Sequence, residues 1–313
     1  MILGRVAPLL FLALTGCVAA PSQNGGVASS DIENESVAGQ EAQQPPAEWE
    51  KYQDHTPGIP LPMPPAVIEG RFEQGGWIRG VVPEGTETVT VDGEPLDFDD
   101  GTGAFFLGLD RDASTKVALV FRGNNTGRIQ EVEIAPRAWD IERVNVPKGT
   151  GGGGEDWWAK REPEWLAIRD ARAKETGAEG WKQDFVWPVT GRISGRFGRQ
   201  RIYQGEPGSY HSGIDIAPGN GVPFVAPADG MVVLARTGFS LEGGIIIVDH
   251  GAGLNSAFLH LSRLAVEEGD TVRQGQLLGN VGASGRASGP HLHWSLMWQD
   301  KRLDPLLFLP PMP

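Results

Sequence analysis

The sequence predicts a mostly β protein: a C-terminal all-β domain of sandwich or barrel-like form, preceded by a small β-sandwich domain and a short helical linker. Three observations predict it. Short apolar or alternating runs recur between turn residues from about residue 67 onward, a helical period is confined to one stretch, and glycines are frequent throughout the last third.

At the N-terminus, Arg5 precedes the apolar run Val6 to Leu14, which is too short to span a membrane, and Leu14-Thr15-Gly16-Cys17 follows where a processing site would lie. This arrangement resembles a bacterial lipoprotein signal. The resemblance implies removal of residues 1–16, lipidation of Cys17, and attachment of the mature chain to a membrane through acyl chains. Cys17 is the only cysteine, so no disulfide forms within the chain. Val18 stands where an aspartate often retains lipoproteins in an inner membrane, which implies a periplasmic protein anchored in the outer membrane. Residues 17–66 are rich in Ser, Gln, Glu, Gly and Pro and have little to bury. They read as a disordered tether of about 35 to 40 Å r.m.s. span, with His55 a solvated side chain within it.

Residues 67–146 read as a separate small β-sandwich domain, from the runs Thr88 to Val91, Lys116 to Phe121 and Ile129 to Ile134 and the hairpin signals Asp92-Gly93 and Asp100-Gly101. The region carries no cluster of histidines, cysteines or nucleophiles. It reads equally as a positioning or binding module and as a spacer. Residues 147–181 form a hinge and helix. The glycine run Gly149 to Gly154 is the joint, and Trp157 to Lys174 has helical period, with Pro163 placing the start of the helix only there, near its first turn. Trp158, Trp165, Leu166 and Ile168 are among its apolar positions, a stripe expected to dock within the chain, with a partner as the alternative.

Residues 182–313 hold the chemistry. In Gly289-Pro290-His291-Leu292-His293-Trp294, the two histidines occupy alternate positions of a strand, on one face and about 6.6 Å apart. His211-Ser212-Gly213-Ile214-Asp215 adds a histidine and a carboxylate, the donor types that a catalytic zinc accepts. A straight strand would hold His211 and Asp215 roughly 13 Å apart, so the chain must bend, and Gly213 is the residue able to take the needed backbone angles. His260 interrupts the apolar run Ala257 to Leu261 and reads either as a satisfied core histidine or, beside a metal, as a proton carrier. His250, in Asp249-His250-Gly251, reads as a turn residue.

Order and wording of the segments across about residues 185 to 309 resemble the lysostaphin/LytM-type zinc endopeptidases that cut peptidoglycan cross-links. The resemblance is carried by Ser194-Gly195-Arg196-Phe197-Gly198, His211 through Ala217, Gly221 through Pro227, Asp249-His250-Gly251, His260-Leu261-Ser262, Gly269-Asp270-Thr271-Val272, Gly275-Gln276 and Gly282-Ala283-Ser284-Gly285 leading into His291 and His293. It implies His211, Asp215 and His293 as zinc ligands and His260 and His291 as unliganded catalytic histidines. Two imidazoles and one carboxylate leave zinc a net positive charge, enough to bring a bound water toward a pKa of about 7 and to polarise a peptide carbonyl. One departure is Phe258, where many relatives place tyrosine; Tyr203 and Tyr210 are candidate hydroxyl donors in its stead, or packing residues.

The net charge of −13 argues against nucleic acid as a partner, and no nucleotide-binding loop is present. The resemblance implies peptidoglycan peptides as substrate, the D-alanine to diaminopimelate bond among them. Some relatives keep the fold, lose zinc ligands and activate wall amidases, which makes a regulator with amidase or divisome partners the alternative reading. A secreted protein or bacteriocin as substrate is a third.

Overall fold

The apolar runs of the last third pair into one antiparallel sheet, in this computed structural model that describes residues 61–148 and 154–313. Its strands lie in the order Arg192–Gly195, Ile214–Ala217, Leu292–Trp298, Leu254–Leu259, Gly243–Gly251, Gly230–Phe239 and Thr271–Val272, with Lys301–Leu303 also paired to Leu292–Trp298. The two ends remain apart, so the sheet does not close into a barrel.

Alternation along the strands divides the residues between two cores. Ile214, Ile216, Leu292, Trp294, Leu296, Phe258, Ile246 and Val248 point to one. Phe224, on the strand Pro223–Val225 of a three-stranded sheet, packs there against Phe258 at 5.2 Å between ring centroids, and Phe258 stacks on Trp294. The other face buries Val233, Ile245, Ile247 and Ala257 beneath Ala167, Ile168 and Ala171 of the chain's one α-helix among the described residues. Covered on both sides, Gly243–Gly251 is buried at every position, which is why its sequence reads as a continuous apolar run.

That helix spans Glu155–Arg172 and contains Pro163 well inside it. It starts a full two turns before the proline expected to open it, with Glu155 and Asp156 placed favourably at the positive end of its dipole. The docked face is built from small residues and two charges, Arg161 and Glu164, that reach the neighbouring turn. Trp158 and Trp165, expected to dock, are instead 56% and 51% exposed. The alanines let the helix approach closely, whereas indole rings on that face would hold it away.

Upstream, a five-stranded sheet ordered Leu61–Pro62, Thr126–Glu133, Lys116–Gly123, Thr88–Val91 and Glu94–Pro95 faces a three-stranded sheet of Val67–Arg71, Trp77–Val81 and Ala104–Gly108. Phe105 of one meets Phe121 of the other at 6.4 Å. Asp92 and Gly93 take the left-handed φ values of 50° and 95° that a two-residue hairpin requires. Asp99 accepts hydrogen bonds from the amides of Gly101 and Thr102 in the second turn.

Two boundaries differ from the sequence reading. The tether predicted through residue 66 gives way earlier, because Leu61–Pro62 pairs with Thr126–Glu133 and Met63 and Ala66 are buried in the core. The region 67–146 is also not separate: the described residues form a single compact unit. Phe106 lies 6.4 Å from Trp181 and 6.3 Å from Trp298, and the Trp77 indole donates to the Leu307 carbonyl at 3.1 Å. Ile141–Val144 runs parallel to Gln200–Tyr203 and extends a hairpin of the C-terminal region. Turn signals mark local reversals, and aromatic packing between distant segments leaves no periodic trace. The predicted signal, Cys17 and His55 lie outside the described residues.

Candidate metal centre

On the helix-covered face of the sheet, just beyond the helix, Asp215 and His293 sit directly opposite each other on adjacent strands. Their alternation partners Ile214, Ile216, Leu292 and Trp294 are fully buried below, which fixes both polar side chains on the other face. His211 arrives from the end of the hairpin Gln200–Tyr203 and Glu206–Tyr210, its backbone held by Gly198 and Arg199.

His211 Nε2 lies 3.1 Å from Asp215 Oδ1 and 3.1 Å from His293 Nδ1, and His293 Nδ1 lies 2.9 Å from Asp215 Oδ1. His211 donates its Nδ1–H to the Arg196 carbonyl at 3.0 Å, so in the neutral ring the Nε2 lone pair faces the centre. With His293 in the tautomer that leaves Nδ1 unprotonated, two ring nitrogens and a carboxylate oxygen converge, an arrangement that a cation resolves. Zinc at about 2.0 to 2.1 Å from each donor needs them roughly 3.3 Å apart in tetrahedral geometry, close to the spacing found. The donor set fits the metal.

The ionisation of the metal-free cluster follows the same geometry. Burial opposes charge on Asp215, yet the hydrogen bonds from His211 and His293 hold its carboxyl well below the usual range. Burial pulls His211 down, and the Asp215 contact outweighs it, leaving the ring raised. His293 is lowered, chiefly by burial.

Two further imidazoles adjoin the cluster. His260 and His291 have ring centroids 4.8 Å apart, and His260 lies 6.3 Å from His293. His260 donates its Nδ1–H to the Ser284 carbonyl at 2.9 Å and His291 donates to the Gly289 carbonyl at 2.8 Å, so each presents a free Nε2. The Nε2 of His291 is 3.6 Å from Asp215 Oδ1. Burial lowers His260, which favours the neutral ring that accepts a proton.

His260 reaches this face by breaking the strand's alternation. Phe258 points into the core beside Trp294, and continued alternation would send residue 260 the same way. A φ of 67° at His260 turns the ring toward His291 instead. That conformation costs about 1 to 2 kcal/mol for a residue with a Cβ.

Gly213 acts differently from its expected role. Its φ is not in the left-handed region, and a side chain there is excluded because a Cβ would stand 2.3 Å from the Trp294 carbonyl oxygen. Gly195 is a comparable case that the sequence did not single out: a Cβ would stand 2.2 Å from Asp215 Oδ2. Neither tyrosine is aimed at the centre. Tyr210 stacks near Phe197 and Arg111, its hydroxyl toward Asp110 and its pKa pushed up to about 12 by burial. Tyr203 lies against Gly208 within its own hairpin. His250 is no turn residue: fully buried in Gly243–Gly251, it donates from Nδ1 to the Asp229 carbonyl and accepts at Nε2 from Ser256 Oγ, each at 2.7 Å.

The family model of Peptidase family M23 matches residues 209–305. A lipoprotein NlpD/LppB homolog of Pseudomonas aeruginosa is 37% identical over 131 residues, 42% of this chain and 40% of the relative. The peptidoglycan DD-endopeptidase ShyA of Vibrio cholerae is 36% identical over 107 residues, 34% of this chain and 25% of the relative. The murein hydrolase activator NlpD of Escherichia coli is 34% identical over 124 residues, 40% of this chain and 31% of the relative. The chain therefore spans less than half the length of these curated relatives. Among solved structures, a putative peptidase M23 from Pseudomonas aeruginosa superposes with a TM-score of 0.57 at 26% identity, covering 76% of this chain and 94% of that one.

Proposed function

We propose that this chain, which carries a Peptidase family M23 domain, is a zinc-dependent endopeptidase that hydrolyses peptide cross-links of peptidoglycan. The convergence of His211 Nε2, Asp215 Oδ1 and His293 Nδ1 beside two imidazoles with free Nε2 atoms carries the reading. In it, His211, Asp215 and His293 hold the zinc, and His260 and His291 are the catalytic histidines. Zinc, when bound, supplies a Lewis acid for a peptide carbonyl and lowers the pKa of water toward neutrality.

The chain's own residues manage the protons. The Ser284 and Gly289 carbonyls fix the tautomers of His260 and His291, so each Nε2 is a base at the edge of the cluster. One of them takes the proton of the attacking water and, once charged, returns it to the leaving amine. Burial keeps His260 neutral at physiological pH, as a base must be. Likeness to the DD-endopeptidase supports the D-alanine to diaminopimelate bond as the one cut. Likeness to the NlpD/LppB lipoprotein homolog supports placement in the periplasm, with Cys17 as the lipid anchor of a chain tethered to the outer membrane.

Mass spectrometry of cross-linked muropeptides incubated with the protein lacking residues 1–20 tests this. Conversion of dimers to monomers is expected, and it should be abolished by chelator and by Asp215→Ala. The 34% identity to a murein hydrolase activator favours one other reading, in which the protein stimulates a wall amidase without cutting peptide bonds. No cleavage by the zinc-loaded protein, together with faster turnover of an added amidase, would establish it.

A further inference from the structure

The turn Ser240-Leu241-Glu242-Gly243-Gly244 is the junction of the helix, His260 and the loop at Ser284. From the helix side, Arg161 holds Glu242 in a bidentate pair at 2.6 and 2.7 Å, with both side chains largely buried. Arg161 also contacts Glu164 at 3.0 Å, and Glu164 accepts from the amide and hydroxyl of Ser240. From the site side, the Glu242 carbonyl accepts the His260 N–H at 2.9 Å, and Gly244 accepts from Leu261 at 3.1 Å. The same turn sets the Ser284 loop: the Gly244 amide donates to Ser284 Oγ at 2.9 Å, and the Leu241 carbonyl accepts from the Arg286 amide at 2.8 Å.

The hydrogen bonds of the His260 amide and ring thus lead back to this turn. Its backbone is tied to Glu242, and its ring is tied to the Ser284 carbonyl, on the loop that the turn holds. The strained φ of 67° persists only where surrounding structure over-determines it. Gly243, where the turn enters the strand Gly243–Gly251, is itself left-handed at 68°. The rigid part is the helix, docked through Ala167, Ile168 and Ala171 on the face of the sheet that carries Asp215 and His293.

We propose that Arg161 and Glu242 are positioning residues for His260, so that the helix upstream of the peptidase domain is a working part of its site. The proposal rests on the reading of His260 as a catalytic histidine. Arg161 touches no reacting atom and acts through the turn. Two opposed charges joined by parallel hydrogen bonds fix both distance and orientation, which a lysine, with a single point of charge, does only in part.

The test compares Arg161→Ala, Arg161→Lys and Glu242→Gln with the wild-type protein, full-length after residue 20 and zinc-loaded. For Arg161→Ala, kcat on a muropeptide dimer is expected to fall about 10- to 100-fold with KM within about twofold and zinc stoichiometry unchanged, as misplacing a catalytic group by an ångström does. Arg161→Lys should recover part of that loss. In 15N-histidine-labelled protein, the His260 Nδ1–H resonance, protected by its bond to Ser284, should broaden or exchange faster in Arg161→Ala and Glu242→Gln. Wild-type kcat and an unchanged resonance in folded Arg161→Ala overturn the proposal, even if its Tm is lowered. If Arg161→Ala does not fold, the same two readouts on Arg161→Lys and Glu242→Gln decide. A wild-type protein that cleaves nothing refutes the proposed function, and the resonance then decides the positioning separately.

Discussion

Gly195→Ala changes no proposed ligand and yet should cripple the metal site. Gly195 pairs with Asp215 across adjacent strands, and an added Cβ would stand 2.2 Å from Asp215 Oδ2, 2.9 Å from its Cγ and 3.0 Å from His211 Cε1. Ordinary contacts of roughly 3.5 Å require the carboxylate to retreat by more than about 1 Å. The displaced oxygens then lose their shared focus with His211 Nε2 and His293 Nδ1. Disturbing the support of a ligand costs about 10- to 100-fold in metal affinity, or about 1.4 to 2.7 kcal/mol. The backbone at residue 195 is outside the left-handed region, so alanine adds no φ strain, and stiffening the unfolded chain offsets part of an overpacking cost of about 1 to 3 kcal/mol. Competition against a chromogenic chelator measures the zinc affinity, and thermal unfolding with and without EDTA separates it from stability. A Gly195→Ala protein that binds zinc within twofold of wild type would refute both the contact and the role given to Asp215.

Three further outcomes follow from the site and its support. Zinc at a hundredfold over its Kd should stabilise the wild type, His260→Ala and His291→Ala by about 2.7 kcal/mol and leave Asp215→Ala unmoved, as read by melting curves. Ser256→Ala removes the hydroxyl that donates to His250 Nε2 and accepts the Trp294 indole N–H at 3.1 Å; two stranded buried groups predict a loss of about 2 to 4 kcal/mol in urea unfolding. Burial lowers His250 from 6.5 to about 4, so between those values the unfolded chain binds the extra proton and stability falls as pH falls. This contributes on the order of 3 kcal/mol, and chelated His250→Gln, though weaker at neutrality, should show a flatter acid limb than wild type.

How far the sequence could be read depended on whether the determinant was local. Short-range geometry marks His211, Asp215 and the pair His291 and His293 as candidates, but it does not choose between the two paired histidines; the resemblance alone implies the set His211, Asp215 and His293, whose ligand atoms the structure brings close together. His260 was harder: strand alternation alone would have buried it, and nothing in its neighbours announces a φ of 67°. Asp249-His250-Gly251 resembles a turn, whereas the groups that satisfy His250 come from elsewhere in the chain: the Asp229 carbonyl just before the strand Gly230–Phe239 and the Ser256 hydroxyl on Leu254–Leu259. The helix is visible by its period, and Ile168 of its predicted stripe docks, but Trp158 and Trp165 do not. The sequence marks the tryptophans as the apolar side, and only the alanine-sized gap above Ile245 and Ile247 selects the other flank. Arg161 and Glu242 are 81 residues apart and carried no signal as a pair.

The parallel pairing of Ile141–Val144 with Gln200–Tyr203 bears on where this chain can be divided. A protease that cuts the glycine run after Lys148 would sever the polypeptide without separating its parts. The upstream fragment would stay bound through that pairing, through Arg111 on the Gly198 carbonyl and Gln200 side chain, and through Arg137 on Asp304 at 2.8 Å. Conversely, a fragment expressed from residue 154, which keeps the helix Glu155–Arg172, would bare one edge of the hairpin that delivers His211, an open strand edge suited to pairing with another copy. Inactivity of such a fragment would report a lost neighbour rather than missing chemistry, and mixing it with residues 61–148 should restore what the cut removed.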